Sequence, residues 1–376
     1  MVRRRLHMNG WLLAISCWLL AVGCSSSDGT EEPQPTVLTI YVYSPEHPMM
    51  IRSAIGPVNP TAAESTVHRL QIWIFESGTG RLVGYLDTTE TENSLLNINE
   101  GATYQMIVDD DFAKDKPDVD VYVFANVTSA NCGCAFDKNS TREQLKNANI
   151  DSGYFGLSPL FDAEWIDNNL SHSLPMTGVL RNQPVVGDAP ALRVGTLGSV
   201  ATVPLKRAVS KVRFVFANTA GAPALTIKDI QMNAEMIPDT EYLIPKDQTL
   251  SYNTISMSLL SSPIAEVESV ADPTVYVYDG QDGQTYENLI NNANLTVVGP
   301  IYLRESDKRL TGTIKYAIGD GSDQYGDYQM DMAGDFERNH SWIVYAYHAG
   351  GGFLQMNALY VKDWVNIEVN HEVYNW

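Results

Sequence analysis

Three acidic runs are the first residues in this chain whose types and spacing could do chemistry. They are Asp109-Asp110-Asp111, Asp279-Gly280-Gln281-Asp282-Gly283 and Gly319-Asp320-Gly321-Ser322-Asp323. Carboxylates at that density offer the hard oxygen ligands that calcium takes. None runs on into a twelve-residue loop closed by a glutamate, and Asp with Gly equally makes solvated turns, so turns are the expectation. Cys132 and Cys134 flank a single glycine. A disulfide over so small a ring is strained, and no further ligands at zinc-site spacing accompany the pair. A loop carrying two thiols and a tight redox-labile bridge are the alternatives. His68, His172, His340, His348 and His371 are scattered, and neither H-E-x-x-H nor G-x-S-x-G occurs. The chain therefore reads as no enzyme, with no metal site and no cofactor.

Aromatic residues give a weaker lead. Seven Trp and 19 Tyr invite a glycan-binding reading, since aromatic faces stack on sugars. Trp73, Trp342 and Trp364 fall inside strand patterns and read as core or groove, while Trp165 and Trp376 are freer. The remaining candidate is a single arginine. Arg52 lies in the small, flexible context Met-Ile-Arg-Ser-Ala-Ile-Gly, the kind of loop tip where a protease cuts, between Arg52 and Ser53.

That loop joins two strand patterns. VLTIYVY, Val37 to Tyr43, is unbroken β-branched, aromatic or aliphatic sequence, as in a strand buried on both faces. VHRLQIWIF, Val67 to Phe75, alternates. The joint between them carries Pro45, Pro48, Pro57 and Pro60, too long and too proline-broken for a hairpin turn. A first strand built into a sandwich and then removed would leave an apolar groove with unpaired backbone, which another strand fills best. Each aliphatic side chain buried there, Val37, Leu38, Ile40 or Val42, is worth roughly 1.5–3 kcal/mol.

The N-terminus points to export. Arg3, Arg4 and Arg5 precede the apolar run Trp11 to Val22, which is short for a membrane span. Leu20-Ala21-Val22-Gly23-Cys24 resembles a bacterial lipoprotein signal, which implies that Cys24 carries the lipid and residues 1–23 are removed. An ordinary cleaved signal is the alternative. Residues 24–35 then read as a flexible tether. Loss of the three arginines takes the net charge from -20 to -23, which argues against nucleic acid as a partner.

Strand signals dominate the rest, so the fold class is all-β. A Ser-Gly-Thr-Gly turn leads from Phe75 into RLVGYLD as a hairpin. YQMIV (Tyr104 to Val108) and VDVYVFANV (Val119 to Val127) follow, and Thr141, Glu143 and Leu145 suggest a capped helical turn. Thr202 to Phe216, TVPLKRAVSKVRFVF, exceeds an ordinary strand and reads as one that ends a first domain, 36–207, and opens a second, 208–376. Further strands are expected at Leu225–Asn233, Thr274–Tyr278, Leu295–Arg304, Thr311–Ile318 and His340–His348. The tail from Leu359 to Trp376 sets Val365, Ile367, Val369 and Val373 on one face, a half-buried pattern.

Several motifs together resemble one family. They are the lipobox at Cys24, Glu64-Ser65-Thr66-Val67 leading into LQIWIF and Gly80-Arg81-Leu82-Val83, Leu174-Pro175-Met176-Thr177, LKRAVSKVRFVF, FERNHSWIVYAY and VKDWV. Their order and spacing are similar to those of the Bacteroidales fimbrillins. The resemblance implies two tandem transthyretin-like β-sandwich domains and a structural role in a cell-surface fimbria. It implies an outer-membrane lipoprotein precursor cut by an arginine-specific protease after Arg52, losing lipid and first strand together. Val365, Ile367 and Val369 of one subunit would then fill the groove of the next, with other fimbrial subunits as partners. A stalk position is favoured over tip or anchor. The runner-up is a permanently lipid-anchored surface protein that binds a glycan.

Overall fold

The computed structural model describes residues 34–43, 64, 67–88, 102–150, 174–245, 251–252, 254–277, 289, 292–319, 325–351 and 353–361. Among these, the chain up to residue 207 forms β1 (Val37–Tyr43), β2 (Leu70–Glu76), β3 (Leu82–Asp87), β4 (Ala102–Ile107), β5 (Val119–Ala125), β6 (Asn149–Ile150), β7 (Met176–Gln183), β8 (Val185–Asp188), β9 (Ala191–Thr196), β10 (Ser199–Val200), β11 (Thr202–Pro204) and β12 (Lys206–Arg207). Beyond it lie β13 (Ser210–Thr219), β14 (Leu225–Met232), β15 (Glu241–Tyr242), β16 (Met257–Ser258), β17 (Ser269–Val270), β18 (Thr296–Leu303), β19 (Ser306–Ile318), β20 (Tyr325–Phe336), β21 (Ser341–His348) and β22 (Leu354–Val361). Short helices α1 (Asp110–Asp115), α2 (Ser129–Cys132) and α3 (Arg142–Lys146) fill connections. The architecture is all-β.

The sheets fall into two facing pairs. β1 joins β4, β8, β9, β10 and β11 in one sheet, and the second runs β12-β7-β5-β2-β3. Between them Leu38, Ile40 and Val42 share a core with Ile72, Ile74, Val121 and Val123. In the later half, β13 carries β21 and then β22 on one side and β17 and β18 on the other, facing a sheet in the order β16-β14-β19-β20. Val212, Phe214, Phe216, Ile227, Ile314 and Trp342 close that core. β6 and β15 pair across the two halves, and all of this belongs to one compact unit.

Alternation in the central strands separates two apolar environments rather than core from water. Leu70, Ile72 and Ile74 of β2 face the first core. Trp73 and Phe75 pack instead with Tyr122, Phe124, Phe136 and Leu145 under the loops that follow β5. The aromatic contacts are edge-on or tilted, such as Trp73 to Phe124 at 5.4 Å between ring centroids, the geometry that ring quadrupoles favour.

Most expected strands are present, including the β2–β3 hairpin. At Thr141 the expected capped turn is a full capping box: the Thr141 hydroxyl accepts from Gln144 N at 3.3 Å and Gln144 Oε1 from Thr141 N at 2.8 Å. Four expectations need correction. β1 is buried on one face only, because Val37, Thr39 and Tyr41 are half-buried on the other. Residues Thr202 to Phe216 are not one strand: they break after Pro204, which has no N–H to donate, and again at Ala208 and Val209, so β11, β12 and β13 serve three different sheets. Of the strand expected at Thr274–Tyr278, residues 274–277 are described and are no strand: Pro273–Tyr276 is a turn of 3-10 helix started by the Asp272 side chain, which accepts from Thr274 N. The last strand described, Leu354–Val361, begins earlier than expected, and residues 362–376 of the expected tail lie outside the described residues. Val365, Ile367 and Val369 lie outside the described residues. β20 was not anticipated, since its Gly and Asp residues are depleted in strands.

Candidate assembly site around the first strand

β1 is the hub of its sheet. Along one side it pairs antiparallel with β4 over six residues, from Val37 opposite Ile107 to Val42 opposite Ala102. Its other side is shared: Val37 to Thr39 run parallel to β9 and Tyr41 to Tyr43 parallel to β11. Without β1, β4 would lose its described strand partner and would be parted from β9 and β11. Leu38, Ile40 and Val42 are 0% exposed. Backbone bonds tie the strand's start: Val37 N donates to Pro190 O at 2.8 Å, and Val108 N to Thr36 O at 3.0 Å. The grip is apolar side chains plus a ladder, with no charged group of β1 taking part. Behind it, β7 passes close to β11. A Cβ on Gly178 would come within 2.7 Å of Pro204 O, so this crossing requires glycine.

A second buried region lies where the two sheet pairs meet, and it is charged. Glu64, 1% exposed, lies near the end of the joint and precedes β2. Both of its carboxylate oxygens accept from Lys211 Nζ at 2.9 Å, and Oε1 also accepts from Tyr302 Oη at 2.5 Å. Its main-chain carbonyl accepts from Arg207 Nε at 3.0 Å. Arg207 in turn reaches Asn339 Oδ1 from both N and Nη1 at 3.3 Å. Nearby, Leu243 O accepts from Thr177 Oγ1 and from Arg338 Nη1, each at 2.7 Å, and so joins β7 to the later half.

Burial dominates the protonation of this cluster. It pushes the Lys211 ammonium down to about 7 against the pull of Glu64, with Arg213 and Arg207 adding to the depression. Tyr302 is driven well above its ordinary value by burial and by the Glu64 charge beside it. Burial also lowers Arg213.

The sequence-predicted residues divide cleanly. Val37, Leu38, Ile40 and Val42 stand together in β1, Val37 half-buried. Cys24, Arg52 and Ser53 lie outside the described residues. Of the acidic runs, Asp109 caps α1 by accepting from Phe112 N at 2.7 Å and pairs with Arg81 at 2.6 Å, so it serves structure. Residues 279–283 and 320–323 lie outside the described residues. Among the described residues no cluster of metal-ligating side chains occurs. Cys132 is buried and Cys134 exposed. His348 is buried against Asn218, and His68 N bonds to Asn126 Oδ1. Trp73 and Trp342 are core residues with no face for a sugar, while Trp165, Trp364 and Trp376 lie outside the described residues. The Glu64 cluster was not foreseen. The signal was Lys211 and Arg213 inside an otherwise apolar strand, which demands a buried counter-charge if the strand is central.

No family model matches the chain and no curated protein does either. Solved structures do. A proposed cell adhesion protein from Parabacteroides distasonis aligns at a TM-score of 0.50 with 12% identity, covering 89% of this chain and 99% of its own. The fold is shared with that protein. A C-terminally truncated tip fimbrial protein, Mfa3, from Porphyromonas gingivalis aligns at 0.48 and 13% identity over 88% of this chain and 100% of that one. A proposed cell adhesion protein from Bacteroides eggerthii aligns at 0.46 and 14% over 88% and 98%.

Proposed function

We propose that this chain is a structural subunit of a cell-surface fimbria that polymerises by exchanging its first strand. The observation that carries the proposal is β1 itself: it is central in its sheet, fully buried through Leu38, Ile40 and Val42, and followed by a proline-rich joint containing Arg52. A strand so placed is indispensable to its sheet, yet one cut in the joint would leave it held by noncovalent contacts alone. In this reading residues 1–23 direct export, Cys24 takes the lipid that anchors the precursor to the outer membrane, and residues 24–35 are the tether. An arginine-specific protease cuts between Arg52 and Ser53. Each sheet pair is a transthyretin-like sandwich domain, 36–207 and 208–376. Val365, Ile367 and Val369 from a neighbouring subunit occupy the vacated slot, a head-to-tail contact that propagates as a filament, with this chain in the stalk. Similarity of fold to the Parabacteroides distasonis protein supports the adhesion context.

The test is digestion of residues 25–376 with an arginine-specific protease, followed by mass and size together. A single cut after Arg52, ladders of heat-stable oligomers, and loss of both in Arg52→Ala are the expected results. A cut chain that stays monomeric removes the exchange mechanism. An uncut chain whose tryptophan fluorescence responds to sugars would favour the anchored glycan binder.

A further inference from the structure

Strand exchange leaves the Glu64 cluster without a purpose. A completely buried carboxylate is costly unless it is paired, and this one is held by Lys211, with Arg207 and Arg213 close by. These three partners come from far along the chain, 143 residues away at Arg207, 147 at Lys211 and 238 at Tyr302. Glu64 is gripped twice over, through its side chain by β13 and β18 and through its main chain by Arg207 of β12. Downstream the chain is held at once: Val67 is 1% exposed, His68 N donates to Asn126 Oδ1 at 2.8 Å, and β2 begins at Leu70.

We propose that Glu64 is a positioning clasp, tying the chain that emerges from the joint to β12, β13 and β18, so that whatever can leave with β1 ends before residue 64. The proposal deepens the fimbrial reading and rests on it for the departure of β1. The clasp itself is a property of the uncut chain. It gives the joint two unlike ends: an N-terminal one held by exchangeable apolar contacts, and a C-terminal one held by a charge that another strand cannot replace.

The experiment is hydrogen exchange on the full chain, read by mass spectrometry before and after arginine-specific digestion. Wild type, Glu64→Gln and the double variant Glu64→Gln/Lys211→Met are compared. In wild type, amides 67–70 and 207–213 stay protected and the cut does not change them. Glu64→Gln keeps the shape and removes the charge, and it raises exchange in both segments by about tenfold or more, as expected when buried partners lose their counter-charge. β5 and β19 stay at wild-type rates. The double variant, with no buried charge mismatch at this pair, returns to within about threefold of wild type. Tyr302→Phe, which deletes one hydroxyl and no charge, shifts the same segments in the same direction by about threefold. Exchange within twofold of wild type in both Glu64→Gln and Tyr302→Phe would overturn the clasp, as would loss of protection at 67–70 on cutting wild type. Absence of a cut after Arg52 counts against the fimbrial processing, and the uncut comparison then decides the clasp alone.

Discussion

The slot of β1 and the seam at Glu64 both bury the side chains that matter, and they hold the chain by different physics. In the slot, Leu38, Ile40 and Val42 contribute through area and shape, a force without direction that any strand with apolar residues at every second position could reproduce. At the seam, Glu64, Lys211 and Tyr302 meet at fixed distances, and removing one partner strands the others in a medium that cannot solvate them. The first kind of contact suits replacement and the second suits permanence. One chain thus carries an apolar hold before a single joint and a charged hold near that joint's end.

The strongest way to break this comparison is at the seam. Lys211→Met leaves Glu64 buried with its ion-pair partner gone, and unfolding in urea should show a loss of about 3–5 kcal/mol. Adding Glu64→Gln to it should recover most of that loss. If the double variant is no more stable than Lys211→Met, the seam is a matter of volume and the contrast fails. In the slot, Ile40→Ala should cost about 2–5 kcal/mol and Ile40→Val about 0.5–1.5, graded by the volume removed. No second-site change of charge should rescue Ile40→Ala. Rescue by a charge would merge the two regions into one kind.

The slot was legible in the sequence and the seam was not, for a physical reason. Val37 to Tyr43 and Val119 to Val127 announce strands because local composition and period decide them. What β1 lacked was its second face: a run that looked buried on both sides has Thr39 and Tyr41 half-buried. Lys211 and Arg213 alternate with Val212 and Phe214, the signature of a strand with one wet face. Only Glu64, far away in sequence, makes burial of Lys211 tolerable, and no window of local sequence contains that pair. Thr274 to Tyr278 failed on a smaller scale. Its β-branched composition lost to Asp272 and Pro273, which start a helical turn.

A pH series sharpens the comparison further. The lysine at the seam titrates at about 7 in the folded chain against an ordinary 10.5, because burial opposes its charge, with Glu64 pulling it up and Arg213, Arg207 and Tyr302 facing it. Between those values the unfolded chain binds the extra proton. Stability should therefore rise as pH increases from about 7 toward 10.5, by about 1.4 kcal/mol per pH unit at most for one proton, and fall as pH drops toward 7. Chemical denaturation of wild type and Lys211→Met across that range checks it, since the variant should lack the rise. The Ile40 variants should keep it in full.

The smallest effect is a control for what an exposed charge does. Asp109 lies outside both regions, half of its side chain in water, and its carboxyl is held below the usual range first by the Phe112 N–H and then by Arg81, with burial opposing. Its two roles can be separated, because asparagine still caps a helix and carries no charge. Asp109→Ala should lose about 1 kcal/mol through the missing cap on α1. Asp109→Asn should lose only a few tenths, the worth of a solvated ion pair. Equal losses in the two variants would mean that the Arg81 pair, and not the cap, carries the whole loss. Buried and exposed charges would then differ less than Glu64 and Asp109 suggest, and the special standing of the seam would rest on its geometry instead.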